Sequence, residues 1–341
     1  MAKTATKPRP TKATSRPSPR RNFQEKFETM VDNITTVIKG KDDVVRMSLT
    51  ALLADGHILF EDVPGTGKTM LARALATTMN ADASRIQCTP DLLPADVTGS
   101  PVLDRKTGDF IFRPGPAFAN ILLADEVNRA TPKTQSALLE AMQERNITVD
   151  GVTYPLPVPF FVLATQNPIE LAGTFPLPEA QLDRFLFKLS LGYLDRLAEA
   201  EVLQANSSKE AILGLEPAME IREVLELISW ASDVSVSDEI SLYIIDLVQA
   251  TRTDASLQLG ASARASLAFL RASRVLAASQ GRDDVIPDDV RTLAVPVLAH
   301  RLILSPDAQL REETVEQVIE RTVARIKPPL GVGRASEAAA S

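Results

Sequence analysis

The spacing of apolar residues in the first part of the chain predicts short strands separated by helices. Runs of apolar residues predict buried strands at 57–61, 121–125, 160–165 and 185–189, and a further strand is predicted at 85–89. Apolar residues three and four positions apart predict helices at 68–79 and 132–144, after two helices within 23–54 that are separated by a turn at Gly40. Strands that alternate with helices form a parallel sheet covered on both faces, and such sheets bind ligands at the carboxyl ends of their strands.

The pattern changes at about residue 195, after which helical spacing continues almost to the end of the chain. The predicted helices are 195–206, 219–231, 237–252, 262–280, 287–300 and 313–326. Ser237 and Pro287 suit helix starts, and Gly281 suits a helix end. We therefore expect an α/β domain at 23–194, then a helical domain and a flexible C-terminus. The last two are expected at 195–328 and 329–341.

The first residues of the chain differ from the rest in charge. Residues 1–21 contain seven lysines or arginines, no acidic residue and no apolar periodicity, which predicts a disordered basic tail at 1–22. A solubilising role for this tail is a simpler interpretation than a contact with nucleic acid or an acidic partner. Because the whole chain has a net charge of −7, residues 22–341 carry −14. This acidic body disfavours binding to a nucleic-acid backbone.

Composition excludes several kinds of site. The single cysteine, Cys88, cannot form a disulfide within the chain, and two histidines are too few for a typical Cys–His zinc cluster. No run approaches the roughly 18 apolar residues of a membrane span, and no secretory signal follows the start. We therefore expect no membrane insertion and a cytoplasmic location.

Residues 62–69 form a glycine-rich segment between the first predicted strand and the helix that follows it. Gly65 and Gly67 allow successive backbone N–H groups to point into one concavity, at a helix N-terminus that favours anions. Lys68 is placed to reach the outer phosphates of a nucleotide, and Thr69 to offer its hydroxyl to Mg²⁺. The segment therefore predicts a phosphate-binding loop.

Asp62 departs from the general pattern of this loop, in which a glycine is usual at that position. Gly65 and Gly67 contribute more to the phosphate cradle, so we still expect the loop to bind a nucleotide. The predicted contacts are Asp62, Val63, Pro64, Gly65, Thr66, Gly67, Lys68, Thr69 and Met70, with Ile38 and Gly40 before the first strand.

Polar residues also stand at the carboxyl ends of two other predicted strands. We expect Asp125 to hold Mg²⁺ against the phosphates, and Glu126 to orient and polarise the attacking water. Asn167 follows the strand at 160–165, where its amide can hydrogen-bond water and the γ-phosphate. Taken alone, an asparagine before a proline is typical of a turn, so its predicted role depends on the acids beside it.

Two arginines complete the predicted site. Arg184 precedes the last predicted strand, where it is placed to reach the nucleotide of a neighbouring subunit. Arg264 begins a helix of the second domain, where it is placed to fold over the phosphates of its own chain. An arginine that arrives on closure stabilises charge in the transition state of phosphoryl transfer. Each arginine, taken alone, also fits an ordinary surface ion pair.

Two hairpins are predicted outside the parallel sheet. Residues 102–112 place two apolar segments around a polar turn, and residues 147–154 have Asp150 and Gly151 at a two-residue turn. Hairpins that project from a parallel sheet indicate a functional role, with surface decoration as the alternative.

The chain resembles the MoxR-type AAA+ ATPases over residues 31–326. The segments that carry the resemblance are 62–69, 123–130, 135–144, 165–168, 176–185 and 260–267. Such long segments are more specific than a phosphate loop alone. The resemblance implies an αβα P-loop NTPase core with a parallel five-stranded sheet, followed by an all-α lid. It also makes the first hairpin the helix-2 insert and the second the pre-sensor hairpin.

The resemblance further implies residue roles and partners. The roles are Walker A for Lys68 and Thr69, Walker B for Asp125 and Glu126, sensor 1 for Asn167, sensor 2 for Arg264, and the trans arginine finger for Arg184, with Arg129 as its rival. ATP and Mg²⁺ are expected between the subunits of a ring, usually a hexamer. A chaperone-like action on client proteins is expected, together with a partner that carries a von Willebrand factor A domain.

The leading interpretation is an ATP-hydrolysing remodeller of proteins, and three alternatives stay open. A nucleotide-gated scaffold would bind ATP and form rings but hydrolyse little. A DNA motor is possible in principle because helicase relatives share the two hairpins, although the acidic body disfavours it. A magnesium-chelatase-like motor subunit is a close relative of the leading interpretation. No motif in the chain identifies the client.

Overall fold

A computed structural model describes residues 19–168, 173–194, 196–204 and 212–329. The strands are β1 (Ile58–Glu61), β2 (Ala83–Gln87), β3 (Gly99–Leu103), β4 (Phe110–Pro114), β5 (Ile121–Asp125), β6 (Asn146–Val149), β7 (Val152–Pro155), β8 (Phe161–Gln166), β9 (Phe187–Leu189), β10 (Leu257–Leu259) and β11 (Ile303–Leu304). The helices are α1 (Pro19–Thr35), α2 (Asp42–Leu53), α3 (Lys68–Thr78), α4 (Pro94–Thr98), α5 (Pro132–Glu144), α6 (Glu179–Leu182), α7 (Arg196–Gln204), α8 (Ile221–Ser232), α9 (Asp238–Arg252), α10 (Ala263–Ser279), α11 (Pro287–Thr292), α12 (Ala294–Leu298), α13 (Pro306–Leu310) and α14 (Val315–Arg325).

Five strands form one parallel sheet in the order β2-β5-β8-β1-β9, which confirms the predicted fold class. The bounds of two strands differ from the prediction. Strand β2 begins at Ala83 rather than at 85, because it lies at the edge of the sheet, is largely exposed, and is poorly marked by apolar residues. Strand β9 begins at Phe187 rather than at 185.

Successive residues of the central strands are buried on opposite faces of the sheet. In β5, Ile121 and Leu123 join a core formed with α1, α2, α3 and the second domain, whereas Leu122 and Ala124 join a core formed with α5. This alternation follows from the two-residue period of a strand. Each fully buried leucine or isoleucine contributes about 1.5–3 kcal/mol to folding. The first of these cores is shared by both domains, so they are held together by apolar contacts.

Both predicted hairpins are present and contact each other. Strand β3 pairs with β4, and β6 pairs with β7, each in antiparallel register. Asp150 has φ +51° and Gly151 has φ +79°, as a type I′ turn requires. The ring of Phe112 in β4 stacks on the ring of Tyr154 in β7, with 4.1 Å between centroids. The two hairpins therefore form one projecting unit.

The second domain is helical, as predicted, apart from two differences. The helix predicted at 287–300 is divided into α11 and α12, because Pro296 has no N–H to donate to the preceding turn. Strands β10 and β11 form a short antiparallel ladder that is too brief to leave a periodic pattern. Among the described residues, no helix has both the length and the apolar character needed to cross a membrane.

Both histidines of the chain are buried, and His57 is held in its neutral form. Its Nδ1 accepts a hydrogen bond from the Val162 N–H and its Nε2 donates to the Met142 carbonyl, each at 3.1 Å. Burial lowers the pKa of His57 to about 3, with the charge of Arg145 acting in the same direction. Burial also lowers the pKa of His300 well below its usual value. Protonation of either ring is therefore coupled to unfolding.

We predict that the free energy of unfolding decreases as the pH falls below about 6.5. In this range the unfolded chain takes up protons that the folded chain excludes, and the loss grows until the pH reaches the folded pKa of His57, about 3. At about pH 5 the loss from His57 alone is about 2 kcal/mol. Urea unfolding near neutral pH and at about pH 5 measures it.

The control for this prediction is His57→Gln, whose amide can both accept and donate a hydrogen bond. We expect this variant to lose part of the pH dependence. An unchanged pH dependence in His57→Gln would contradict the assignment of the effect to this ring.

Candidate active site

The loop between β1 and α3 is shaped by two glycines in left-handed conformations. Gly65 has φ +86° and Gly67 has φ +97°, which other residues rarely adopt. A Cβ at either position would meet no atom within 4 Å, so the space in front of the loop is open. The loop and the first turn of α3 line a cleft of about 370 Å³. An open glycine cradle at a helix N-terminus fits a phosphate chain.

The side chain of Lys68 is held against this loop. Its Nζ donates to the Val63 carbonyl at 2.9 Å and to the Thr66 hydroxyl at 3.1 Å. Burial lowers the pKa of Lys68, whereas the charges of three nearby carboxylates, foremost Asp62, act in the opposite direction. Lys68 and Thr69 both line the cleft, as predicted for groups that bind phosphates and Mg²⁺.

Asp125 and Glu126 are oriented by a single hydroxyl on the neighbouring strand. Thr165 Oγ1 accepts a hydrogen bond from the Glu126 N–H at 2.9 Å and donates to Asp125 Oδ1 at 3.2 Å. Arg85 Nε donates to Asp125 Oδ2 at 2.7 Å. Sequence analysis did not identify Thr165 or Arg85. Pairing of β5 with β8 would have indicated Thr165, because Ala124 lies opposite Ala164 and the next residues are then neighbours.

Glu126 and Asn167 line the same cleft as the phosphate loop. Glu126 has φ +56°, which is uncommon for a residue other than glycine and shows that its surroundings hold it in place. Its Oε2 lies 3.0 Å from Arg129 Nε. Arg129, the rival candidate for the trans finger, thus contacts Glu126 of its own chain. Asn167 is buried, with 8% of its surface exposed.

A pocket of about 250 Å³ adjoins the cleft along the glycine loop. Ile38 and Met70 lie among its lining residues, together with the segment 191–194. A largely apolar pocket beside a phosphate cradle fits a nucleobase. Gly40 is not among the residues that line this pocket. It adopts φ +65° in a turn, and a Cβ there would lie 2.8 Å from the Cβ of Ala198.

The donors for a metal ion fit Mg²⁺ bound together with a nucleotide. Within the described ranges, no group of three or more His, Cys, Asp or Glu side chains is arranged to hold a metal. Thr69 and Asp125 both line the cleft and offer oxygen atoms. Mg²⁺ commonly binds through one or two protein oxygens, substrate phosphates and water. These two residues therefore suit Mg²⁺ as part of a nucleotide complex.

Arg184 and Arg264 lie together in a different cavity, of about 480 Å³, at the junction of the two domains. The other arginines that line this cavity are Arg145, Arg271 and Arg301. Asp183 connects the domains at this point. Its Oδ1 accepts a hydrogen bond from Arg301 Nε at 2.8 Å, and its Oδ2 accepts one from the Ser262 hydroxyl at 2.7 Å. The cavity is rich in positive charge and suits an anionic ligand.

Arg264 was predicted to fold over the phosphates of its own chain, and in this structure it lies in the cavity at the domain junction. Arg264 does not line the phosphate cleft, and its Nη1 lies 4.0 Å from Asp183 Oδ2. The reason lies at the start of α10, where Ser262 accepts the N–H of Arg264 at 3.0 Å and binds Asp183 through its hydroxyl. This contact joins residues 79 positions apart and left no sign in the sequence pattern.

Two families of known proteins match the two parts of the chain. Residues 57–187 match the ATPase family associated with various cellular activities (AAA). Residues 249–322 match the AAA lid domain. A protein of Bacillus subtilis, the uncharacterised YeaC, is 50% identical over 300 residues, which cover 88% of this chain and 94% of YeaC.

Other relatives carry informative names. The chaperone MoxR1 of Mycobacterium tuberculosis is 41% identical over 317 residues, covering 89% of this chain and 82% of that protein. The protein MoxR of Paracoccus denitrificans is 30% identical over 335 residues, which cover 90% of this chain and 98% of that protein. A crystal structure from Cytophaga hutchinsonii, described provisionally as an ATPase, has a TM-score of 0.86 at 39% identity. The match covers 91% of this chain and 97% of that chain. The chain therefore belongs to the MoxR family of AAA ATPases.

Proposed function

We propose that this protein binds MgATP at the 62–69 loop and hydrolyses it. The observation that carries the proposal is that the glycine loop, Lys68, the two acids and Asn167 line one cleft, beside a pocket that fits a base. Membership of the AAA family supports ATPase activity in general.

Each residue of the cleft has a distinct role in this proposal. The loop N–H groups and Lys68 bind the phosphates, and Thr69 and Asp125 would hold Mg²⁺, which would neutralise phosphate charge. Glu126 orients the attacking water and accepts its proton. Asn167 hydrogen-bonds the water and the γ-phosphate, which positions one against the other.

The remaining part of the site comes from a neighbouring subunit. Arg184 and Arg264 lie in a cavity separate from the phosphate cleft of their own chain, which supports their action in trans. A closed ring, which we propose to be a hexamer, brings this cavity of one subunit to the cleft of the next. The guanidinium groups then stabilise the charge that develops on the γ-phosphate.

Hydrolysis in this ring drives the remodelling of client proteins. One relative is named a chaperone, which supports such a role here. The two hairpins carry exposed apolar residues, namely Val102, Leu103, Phe110, Ile111 and Val152. Exposed apolar surface is typical of protein contacts rather than nucleic-acid contacts. We propose a von Willebrand factor A domain protein as the partner, in keeping with the family resemblance.

We predict that Glu126→Gln lowers steady-state MgATP hydrolysis by at least about a hundredfold while ATP still binds, because the amide cannot accept the proton of water. A coupled-enzyme assay and calorimetric titration with MgATP measure the two effects. Glu140→Gln is the matched control, since Glu140 is exposed on α5 and lines neither cavity.

Undiminished hydrolysis in Glu126→Gln would reject the hydrolytic assignment. A wild-type protein that binds MgATP but hardly hydrolyses it would instead favour the nucleotide-gated scaffold. Affinity purification with Glu126→Gln, which should hold ATP-bound rings on their targets, identifies the client.

We predict that Glu126→Gln and Arg184→Ala, each inactive alone, recover activity when they are mixed. A mixed interface joins an intact Glu126 in one subunit to an intact Arg184 in the next. When the two variants are mixed randomly in equal amounts, about a quarter of the interfaces have this composition. About a quarter of wild-type activity is therefore expected. Activity no higher than that of the separate variants would exclude action of Arg184 in trans.

We predict that Thr165→Val raises the Mg²⁺ concentration needed for half-maximal ATPase activity, because Asp125 and Glu126 lose their shared hydroxyl partner. This Mg²⁺ concentration is expected to rise several-fold, which corresponds to the loss of about one hydrogen bond. Thr165→Ser keeps the hydroxyl and serves as the control. Equal Mg²⁺ dependence in wild type and Thr165→Val would show that this hydroxyl does not position the metal-binding acid.

A further inference from the structure

Asp62 stands at the start of the phosphate loop, yet its side chain is almost completely buried, with 6% exposed. Its Oδ1 accepts hydrogen bonds from the Ser190 hydroxyl at 2.7 Å and the Gly192 N–H at 3.0 Å. Its Oδ2 accepts one from the Leu191 N–H at 2.7 Å. Donors from three consecutive residues therefore converge on one carboxylate.

The segment that Asp62 binds continues into a wall of the pocket proposed to hold the base. Residues 191–194 line that pocket, and they lie between β9 and α7, where the chain enters the second domain. The Tyr193 carbonyl in this segment also accepts a hydrogen bond from Lys41 Nζ at 2.7 Å. Asp62 is thus a direct link between the phosphate loop and the pocket wall.

A carboxylate suits this position better than an amide or a glycine. An asparagine turns its NH₂ toward the backbone N–H of either Leu191 or Gly192, whichever way the amide is oriented, and leaves that N–H without an acceptor. A glycine removes all the acceptors. The backbone of Asp62 does not adopt a positive φ, so this position has no conformational need for glycine.

We infer that Asp62 is a positioning residue that couples the phosphate loop to the wall of the base pocket, so that ATP is recognised by its base and its phosphates together. Asp62 lines the cleft, but its carboxylate oxygens are occupied by donors from residues 190–192, and it acts through that segment. The inference rests on the proposed function, because it concerns how that same cleft binds ATP.

The test compares MgATP with magnesium tripolyphosphate, which carries the phosphates without the nucleoside, by calorimetric titration of the full-length protein. In Asp62→Asn we expect MgATP to bind about tenfold more weakly, because one buried N–H loses its acceptor. The affinity for tripolyphosphate is expected not to fall, because this ligand does not reach the base pocket and the substitution removes only a negative charge near Lys68. Asp62→Gly restores the glycine that is usual in this loop, but it removes every acceptor. We therefore expect it to lower the ratio of MgATP affinity to tripolyphosphate affinity further than Asp62→Asn does.

Two more variants keep the test decisive. Ser190→Ala removes one of the hydrogen bonds to Asp62 without altering the loop. It should lower the ratio of MgATP affinity to tripolyphosphate affinity by a smaller factor than Asp62→Asn does. This variant keeps the test informative if Asp62→Asn fails to fold. Asp254→Asn is the matched control. Asp254 is also buried and accepts a backbone N–H, from Ser256 at 2.9 Å, but it lines neither the cleft nor the pocket. It should leave both affinities unchanged.

The outcomes separate this inference from the proposed function. If wild type binds MgATP and Asp62→Asn leaves the ratio of affinities unchanged, the inference is overturned and the proposed function stands. The inference is also overturned if Asp62→Asn weakens the binding of both ligands by the same factor, which would show that Asp62 has only a general structural role. A wild-type protein that does not bind MgATP overturns both.

Discussion

Parallel pairing of five strands is the constraint on which the site depends. Lys68, Asp125 and Asn167 come from separate stretches of the chain, and they meet because β1, β5 and β8 are neighbours that end at the same edge. The register of strand pairing matters as much as the order of the strands, because a slip of one residue would turn Asp125 toward the opposite face of the sheet. The aliphatic cores on both faces set this register, and the hydroxyl of Thr165 then orients both acids.

Two aspartates bind segments at the boundary between the two domains. Asp62 binds the segment that leads into the lid, and Asp183, the residue before Arg184, binds Ser262 at the start of α10. Both bonds cross regions that would change if the domains moved relative to each other. The candidate cleft and the arginine cavity thus each contain an aspartate that binds a segment near the domain boundary.

Much of this arrangement could be predicted from sequence because the signals are local. Apolar runs indicated four of the five strands, and the glycine spacing at 62–69 indicated the loop. The paired acids after an apolar run indicated the edge of the sheet that carries the candidate site. Each of these patterns lies within a few residues, where periodicity and residue type are enough.

The features that sequence analysis missed depend on contacts between distant segments. Arg85 reaches Asp125 only because β2 lies beside β5, and the partners of Asp62 lie 128 to 130 residues away. The place of Arg264 in this structure also depends on such a contact, because the bond between Asp183 and Ser262 has no local signature. Asp62 itself looked like a departure from a motif until its hydrogen bonds showed a structural purpose.

The central claim is that one nucleotide site is assembled from two subunits. Electron cryo-microscopy of the assembled protein with Mg²⁺ and a non-hydrolysable ATP analogue tests it most directly. We predict phosphates on the 62–69 loop of one subunit, with Arg184 and Arg264 of the adjacent subunit directed at the γ-phosphate. A nucleotide enclosed within a single chain, with Arg264 of that same chain over its phosphates, would contradict the account.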